Sequence, residues 1–167
     1  MKRIVIAIML CLSAALTAQA GVKGVVLSAG GNNDQVYAGV GYQIDKGEVG
    51  ARFGWTDTLD GTQECVELAA YALLDVIKDV NVPVEIPGLG SYILKATAYA
   101  GGKAGVLDNL KGPSDYDPSV SGIVGLKMVE GRIAVRLEYL LPVTDSTWEN
   151  SATGGGKKFT LGFSYLW

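Results

Sequence analysis

The sequence contains no histidine and only two cysteines. The lack of histidine excludes Ser-His-Asp and Cys-His catalysis, histidine-liganded metals and a histidine pH switch. Cys11 lies in an N-terminal segment that we expect to be removed, so Cys65 would be alone and no intramolecular disulfide is expected. Only 19% of the residues are charged, the formal net charge is −3, and no basic stripe is present. Nucleic acid is therefore not expected as a partner.

The first 20 residues have the parts of an export signal. A basic start, Met1 to Arg3, precedes an apolar run from Ile4 to Leu16, and residues 18–20 form an A-x-A cleavage pattern. The apolar run is shorter than the roughly 20 residues that a membrane-spanning helix needs. We predict a cleaved signal peptide over residues 1–20 and a single exported domain over residues 21–167.

The remaining chain alternates apolar and polar side chains with a period of two, which is typical of β-strands. From Lys158 to Trp167 the odd positions are Phe, Leu, Phe, Tyr and Trp, while the even positions are mostly small or polar. The pattern predicts eight strands: 22–29, 35–44, 48–57, 65–76, 91–103, 121–129, 132–141 and 158–167. Most of these segments approach the roughly 9–11 residues that a tilted strand needs to cross a bilayer.

The predicted connections alternate between short and long. The turns at 45–47 and 130–131 are short, whereas the connections at 58–64, 104–120 and 142–157 are longer. Outer-membrane barrels alternate in this way between periplasmic turns and external loops. The alternation favours an all-β, eight-stranded, antiparallel, up-and-down transmembrane β-barrel.

Residues 64–90 do not fit this scheme uniquely. The even positions from Val66 to Val76 form an apolar strand face, but the same stretch also fits an amphipathic helix. Residues 77–90 are too long for a tight turn and contain Pro83 and Pro87. Residues 80–86 could form an additional strand, so the strand count stays open here.

The signal, the eight segments, the sorted connections and the aromatic last residue resemble the small outer-membrane β-barrels of the OmpA/OmpX/opacity-protein kind. The resemblance covers the whole mature chain and rests on pattern, with no diagnostic motif. It implies a barrel in the outer membrane of a Gram-negative bacterium. Alternate residues of the last strand look like the C-terminal signal that the barrel-assembly machinery reads: Phe159, Leu161, Phe163, Tyr165 and Trp167. Members of such families differ in role, so the fold alone does not settle the function.

In such a barrel, aromatic side chains lie at the two membrane interfaces. The sequence predicts two girdles, with three members near the external rim and four near the periplasmic rim. They are Trp55, Tyr139 and Phe159, and Tyr42, Tyr92, Tyr165 and Trp167.

Charged side chains on the strands are expected to face the lumen, because facing lipid would cost about 2–4 kcal/mol each near the midplane. The predicted lumen network is Glu48, Arg52, Glu67, Lys95, Lys127, Arg132, Arg136 and Glu138. An eight-stranded barrel leaves an interior that side chains fill. We predict a plug of paired charges in which glycines make room for long arginines, with a narrow ion-conducting pore as the alternative.

The sequence predicts no catalytic residue, metal site or cofactor. Enzymes among the barrels that this chain resembles use a histidine in catalysis, and this sequence has none. The inward pair Glu67 and Glu138 is better explained by structural charge pairing. The expected role is structural or surface-interacting, and a soluble, lipocalin-like ligand-binding barrel is the further alternative. Expected partners are outer-membrane lipid and lipopolysaccharide, the assembly machinery, and a surface partner at loops 104–120 and 142–157.

Overall fold

The computed structural model describes residues 23–32, 35–57, 64–88, 90–110, 116–144 and 159–167. The predicted signal peptide, residues 1–20, and most of the predicted loop 142–157 lie outside these residues. The described chain forms eight strands: β1 (Gly24–Gly31), β2 (Gln35–Ile44), β3 (Gly47–Asp57), β4 (Glu64–Ile86), β5 (Gly90–Asn109), β6 (Asp117–Glu130), β7 (Ile133–Pro142) and β8 (Phe159–Leu166).

The eight strands form a closed barrel in which each strand is antiparallel to its sequence neighbours. Strand β8 closes the barrel on β1, with Val26 opposite Leu166 and Gly31 opposite Leu161. The predicted eight-stranded, antiparallel, up-and-down barrel is therefore confirmed. No described helix is long and apolar enough to cross a membrane.

The connections separate the barrel into two ends. One end, which we call the short-turn end, carries the connections at residues 45–46, 87–89 and 131–132. The other end carries a short connection at residues 32–34 and the longer connections at residues 58–63, 110–116 and 143–158. At the short-turn end, Gly131 has a φ of 59°, a left-handed conformation that glycine adopts without a steric penalty.

The region that the sequence left open is one long strand. Residues 64–86 all belong to β4, so the helical interpretation is wrong and residues 80–86 continue β4 instead of adding a strand. At the end of the barrel opposite the short-turn end, β5 extends to Asn109 and β6 begins at Asp117. The connection predicted over residues 104–120 is therefore shorter, because its two ends continue the β5–β6 ladder from Ala104–Val120 to Leu107–Asp117.

Strands β4 and β5 extend beyond their neighbours at the short-turn end. The pairing of β3 with β4 stops at Gly47–Leu74, and the pairing of β5 with β6 stops at Lys95–Val129. The β4–β5 ladder continues to Ile86–Gly90. Register shifts after Asp75 and Ile77 accompany this departure, and Asp79 there has a φ of 55°. We call residues 76–94 the projecting hairpin.

Alternate side chains point into and out of the barrel. Along β7, Ala134, Arg136, Glu138 and Leu140 are buried, whereas Leu137 and Leu141 are exposed. On seven strands the outward side chains include large apolar ones, such as Leu27, Val40, Phe53, Leu68, Val124, Leu126, Leu137, Leu161 and Phe163. Within the barrel wall, β5 presents small side chains instead, among them Ala98, Ala100 and Ala104. The inward ones include most of the buried charged residues. The barrel thus has an apolar exterior and an interior that combines charged side chains with a buried apolar cluster that includes Leu73, Leu107, Ile123 and Leu140.

Tyrosine rings fill the lumen where glycines leave room. A Cβ atom added to Gly125 would lie 2.5 Å from Cζ of Tyr99, and one added to Gly162 would lie 2.5 Å from the hydroxyl of Tyr37. Gly41 has the same relationship with the hydroxyl of Tyr71. The sequence predicted that glycines make room for arginines. At these three glycines, the side chains that occupy the vacant space are tyrosines.

Candidate functional site

The centre of the lumen holds two ion pairs that cross the barrel between β3 and β7. These strands lie four places apart in either direction around the barrel, so they are on opposite walls. Arg52 of β3 donates two hydrogen bonds to Glu138 of β7, each 2.7 Å long. Arg136 of β7 donates from Nη2 to Oε2 of Glu48 on β3. Each wall therefore supplies one cation and one carboxylate.

Three tyrosines complete this centre. The guanidinium of Arg52 lies 4.7 Å from the ring centroid of Tyr37 and 4.6 Å from that of Tyr71, a distance range typical of cation–π contacts. The Tyr71 hydroxyl donates to Glu48 at 2.5 Å, and the Tyr99 hydroxyl donates to Glu138 at 2.8 Å. Each carboxylate is thus held by both an arginine and a tyrosine.

A second buried cluster lies towards the end that carries the longer connections. Glu67 of β4 accepts hydrogen bonds from the Lys103 ammonium on β5 and the Ser119 hydroxyl on β6. All three side chains are buried. Because a buried charged group is tolerated when it is paired and hydrogen-bonded, the contacts with Lys103 and Ser119 offset the burial of Glu67.

A third cluster lies at the short-turn end. Lys127 Nζ of β6 is 3.0 Å from Oδ1 of Asp75 on β4, and Lys78 Nζ is 3.6 Å from Oδ2 of the same carboxylate. Lys127 is also 6.0 Å from the Tyr99 ring centroid, so this cluster adjoins the central one. The third cluster and the central one are therefore neighbours in the lumen.

The structure brings most of the predicted lumen residues together. Glu48, Arg52, Glu67, Lys127, Arg136 and Glu138 are all buried and ion-paired. Lys95 and Arg132 are placed elsewhere. Both are exposed, because Arg132 lies in the β6–β7 turn and Lys95 lies where β5 leaves the barrel wall.

Sequence reasoning missed several members of the network. Asp75 and Lys103 have the inward parity of their strands, and extending the alternation of Glu67 and of Lys95 by further steps of two would have reached them. Tyr37, Tyr71 and Tyr99 also have inward parity. Their contacts with arginines and carboxylates depend on the register between strands, which a single-sequence pattern does not supply.

The residues predicted as girdles and as the C-terminal signal lie on the outer surface. Trp55 and Phe159 lie near the end with longer connections, and the Tyr139 ring is half-buried with its centroid 4.7 Å from that of Phe159. Tyr42, Tyr165 and Trp167 lie near the short-turn end, and Tyr92 is on the projecting hairpin. The predicted assembly signal forms one exposed row on β8 and the residue after it: Phe159, Leu161, Phe163, Tyr165 and Trp167.

The chemistry of the lumen is that of paired charges. Cys65 is buried and forms no disulfide within the described chain. The described residues also contain no group of three or more Asp, Glu or Cys side chains arranged to hold a metal ion. What the arrangement provides is a dense cross-link between opposite walls, made by arginine–glutamate pairs and tyrosines.

No protein-family model matches the chain, and no curated protein matches it significantly.

Proposed function

We propose that this protein is a small integral outer-membrane β-barrel of a Gram-negative envelope, non-enzymatic and with a structural or surface-interacting role. The main support for the proposal is that charged side chains are buried inside the barrel and large apolar side chains are exposed on its outside. Arg52, Arg136, Glu48 and Glu138 are at most 5% exposed, whereas Leu27, Phe53 and Leu137 are about half exposed. A soluble barrel would be expected to show the opposite arrangement, because burial of apolar surface drives its folding.

The apolar exterior runs around the barrel. Exposed large apolar side chains occur on seven of the eight strands within the barrel wall, from Leu27 on β1 to Phe163 on β8, and β5 contributes alanines to the same surface. A soluble monomer rarely exposes a contiguous apolar patch larger than a few hundred Å². Lipid chains solvate such a belt, and the closed hydrogen-bonded ladder leaves no strand edge within the belt.

Strand length and topology support the same proposal. Strands β2 and β7 have 10 residues and β3 has 11, which matches the roughly 9–11 residues of a tilted membrane-spanning strand. The short-turn end would face the periplasm and the longer connections the exterior, as in bacterial outer-membrane barrels. Outer-membrane lipid and lipopolysaccharide would then surround the barrel.

The packed lumen favours a plug over a pore. Arg136 and Glu138 are each 1% exposed, and tyrosine rings occupy the space beside them. An ion path would require these cross-barrel pairs to separate. We therefore propose a closed barrel, whose exposed aromatic row on β8 would be the contact for the assembly machinery.

Heat-modifiability tests this proposal. The membrane-extracted protein is run with and without boiling on a detergent gel, beside the soluble fraction. We expect an unboiled band that migrates as a compact species and shifts on boiling, with the protein absent from the soluble fraction. A single unshifted band with soluble protein would contradict the membrane location and favour a soluble ligand-binding barrel.

A further inference from the structure

The projecting hairpin has two different faces. Residues that lie opposite each other in an antiparallel ladder point to the same side of the sheet. One side of the β4–β5 ladder carries six apolar or aromatic residues, which we call the outer hairpin face: Ile77, Val80, Val82, Val84, Tyr92 and Leu94. The other side is largely polar and carries Asn81, Pro83, Glu85, Ser91, Ile93 and Lys95. The hairpin is therefore amphipathic.

The outer hairpin face continues the outside of the barrel wall. Ala98 of β5 lies opposite Ile77 on one side and opposite Leu126 of β6 on the other. Leu126 is exposed on the outside of the barrel, whereas Thr97 and Tyr99 of β5 are buried in the lumen. Because alternate residues of a strand share a face, the even positions of β5 run from the wall onto the hairpin on the outer side.

The hairpin is suited to water and not to the hydrocarbon of a bilayer. Lys78, Asp79 and Lys95 are exposed on it, and outward charges near the bilayer midplane cost about 2–4 kcal/mol each. Ile77 and Val80 of the outer hairpin face are nevertheless 56% and 47% exposed. Contiguous exposed apolar surface of this kind is typical of sites of association.

The wall next to the hairpin is unusually smooth. Outward side chains on β4 and β5 there are small, and we call them the small-residue surface: Ala70, Ala72, Ala98, Ala100, Gly102 and Ala104. Between proteins in a membrane, small side chains let the backbones approach closely, so that van der Waals packing drives association. The small-residue surface and the outer hairpin face lie on the same two strands and form one continuous strip.

A second copy of this chain fits the whole strip. Lipid chains would cover the small-residue surface but not the hairpin, and a water-soluble partner would cover the hairpin but not the wall. Two copies in one membrane have the same orientation, so a twofold axis along the membrane normal relates them. Such an axis places hairpin against hairpin and wall against wall.

We propose that the outer hairpin face and the small-residue surface pair with the same surfaces of a second copy to form a symmetric dimer. The strip exposes roughly 600 Å² per copy, so a dimer would bury about 1,200 Å², which reaches the lower limit of specific interfaces. The contact covers one face of the hairpin and leaves its strand edges unpaired. The inference rests on the proposed membrane role, which sets the parallel orientation of the two copies.

Cysteine cross-linking in lipid vesicles tests the dimer. In a Cys65→Ser background, single cysteines are introduced as Val80→Cys or Val84→Cys on the outer hairpin face. The matched controls are Asn81→Cys and Glu85→Cys, one residue further along the chain and on the polar side. On oxidation with copper phenanthroline, we expect disulfide-linked dimers from the first two variants and severalfold less from the controls.

A pair of alanine variants tests the part of the contact within the wall. Ala100→Phe adds bulk to the small-residue surface, and Ala29→Phe adds the same bulk to the outward, exposed face of β1. Strand β1 lies four places from β5 around the barrel, on the opposite wall. By light scattering in detergent, Ala100→Phe should raise the dissociation constant of the dimer at least about tenfold, and Ala29→Phe should leave it unchanged.

The outcomes separate the dimer from the membrane role. Equal cross-linking at all four positions, or none, would overturn the dimer. In that case a nitroxide at Val80 reports the surroundings of the hairpin: shielding from a nickel chelate assigns it to the lipid surface, and exposure leaves it to a water-soluble partner. Flotation of the vesicles and the heat shift are read on the same samples. Protein that floats without selective cross-linking contradicts the dimer alone, and protein that cross-links selectively without floating contradicts the membrane location alone.

Discussion

Arg52 and Glu138 join opposite walls of the barrel through two parallel 2.7 Å hydrogen bonds, with the guanidinium between the rings of Tyr37 and Tyr71. This is the geometry in which an arginine and a carboxylate bind most strongly, because both pairs of donors and acceptors are aligned. The pair acts as a strut that connects the two walls across the lumen. The pair Arg136–Glu48, in which β7 supplies the arginine and β3 the carboxylate, forms a second strut beside it.

Removing one end of the first strut should destabilise the barrel strongly. Glu138→Ala leaves the buried Arg52 charge without its carboxylate, which we expect to lower the free energy of unfolding by about 3–5 kcal/mol. The double variant Arg52→Met, Glu138→Leu should recover much of this loss, because neither charge remains buried alone. Urea unfolding of the refolded proteins measures the free energy of unfolding of the single and the double variant. A single variant as stable as the unsubstituted protein would show that the strut contributes little.

The outer face should tolerate charge according to depth. Leu137 is exposed midway along β7, and Leu137→Arg should cost about 2–4 kcal/mol when the protein is folded in lipid vesicles. Ile133→Arg, at the β7 end beside the short turn, should cost about 0–1 kcal/mol. Equal and negligible costs at both positions would indicate that this face contacts water.

The tyrosine–glycine packing should be sensitive to a single methyl group. Gly125→Ala places a Cβ 2.5 Å from Tyr99 and should displace the ring that donates to Glu138, at a cost of about 1–3 kcal/mol. The control is Gly122→Ala on the same strand, whose added Cβ would meet its nearest neighbour, Leu141, at 3.4 Å. Unfolding measurements on the two variants should separate them. Identical stabilities would contradict the proposed packing.

The packed lumen should not conduct ions. In planar bilayers we expect the unsubstituted protein to give no stepwise conductance. Arg52→Ser combined with Glu138→Ser should give measurable steps, because it removes the strut and two large side chains from the lumen centre. Steps in the unsubstituted protein that disappear on charge reversal of Arg136 would instead support the pore alternative.

The projecting hairpin should be the least protected part of β4 and β5. Residues 76–86 of β4 are not paired with β3, because the β3–β4 ladder ends at Leu74. A two-stranded hairpin is only marginally stable by itself. Hydrogen exchange should therefore be faster for residues 78–85 than for residues 66–73 of the same strand. Equal protection along the whole of β4 would mean that another surface covers the hairpin.

The fold was predictable because its signals are local. Strict alternation in β7 and β8, and the sorting of turns by length, identify strands and their order without knowledge of any contact. Residues 64–86 were harder, because their alanines and leucines also suit a helix and the register shifts after Asp75 and Ile77 interrupt the alternation.

The candidate site was only partly predictable. Parity identifies which charges face inward, such as Arg136 and Glu138, because charges avoid the apolar face. It does not tell which residue on the opposite wall each one meets. The pairing of Arg52 with Glu138 depends on the closure of the barrel, and the placement of Tyr99 over Gly125 depends on the register between β5 and β6.

The apolar exterior is proposed to lie in lipid, and site-directed spin labelling reports whether lipid or water surrounds it. Nitroxides are placed at Val40 and Leu137, midway along β2 and β7, and at Lys46 in the β2–β3 turn, in a Cys65→Ser background. In lipid vesicles, we predict that the labels at Val40 and Leu137 collide readily with oxygen and are shielded from a water-soluble nickel chelate, with the reverse at Lys46. Ready collision with the nickel chelate at all three positions would show that this surface contacts water and would contradict the membrane location.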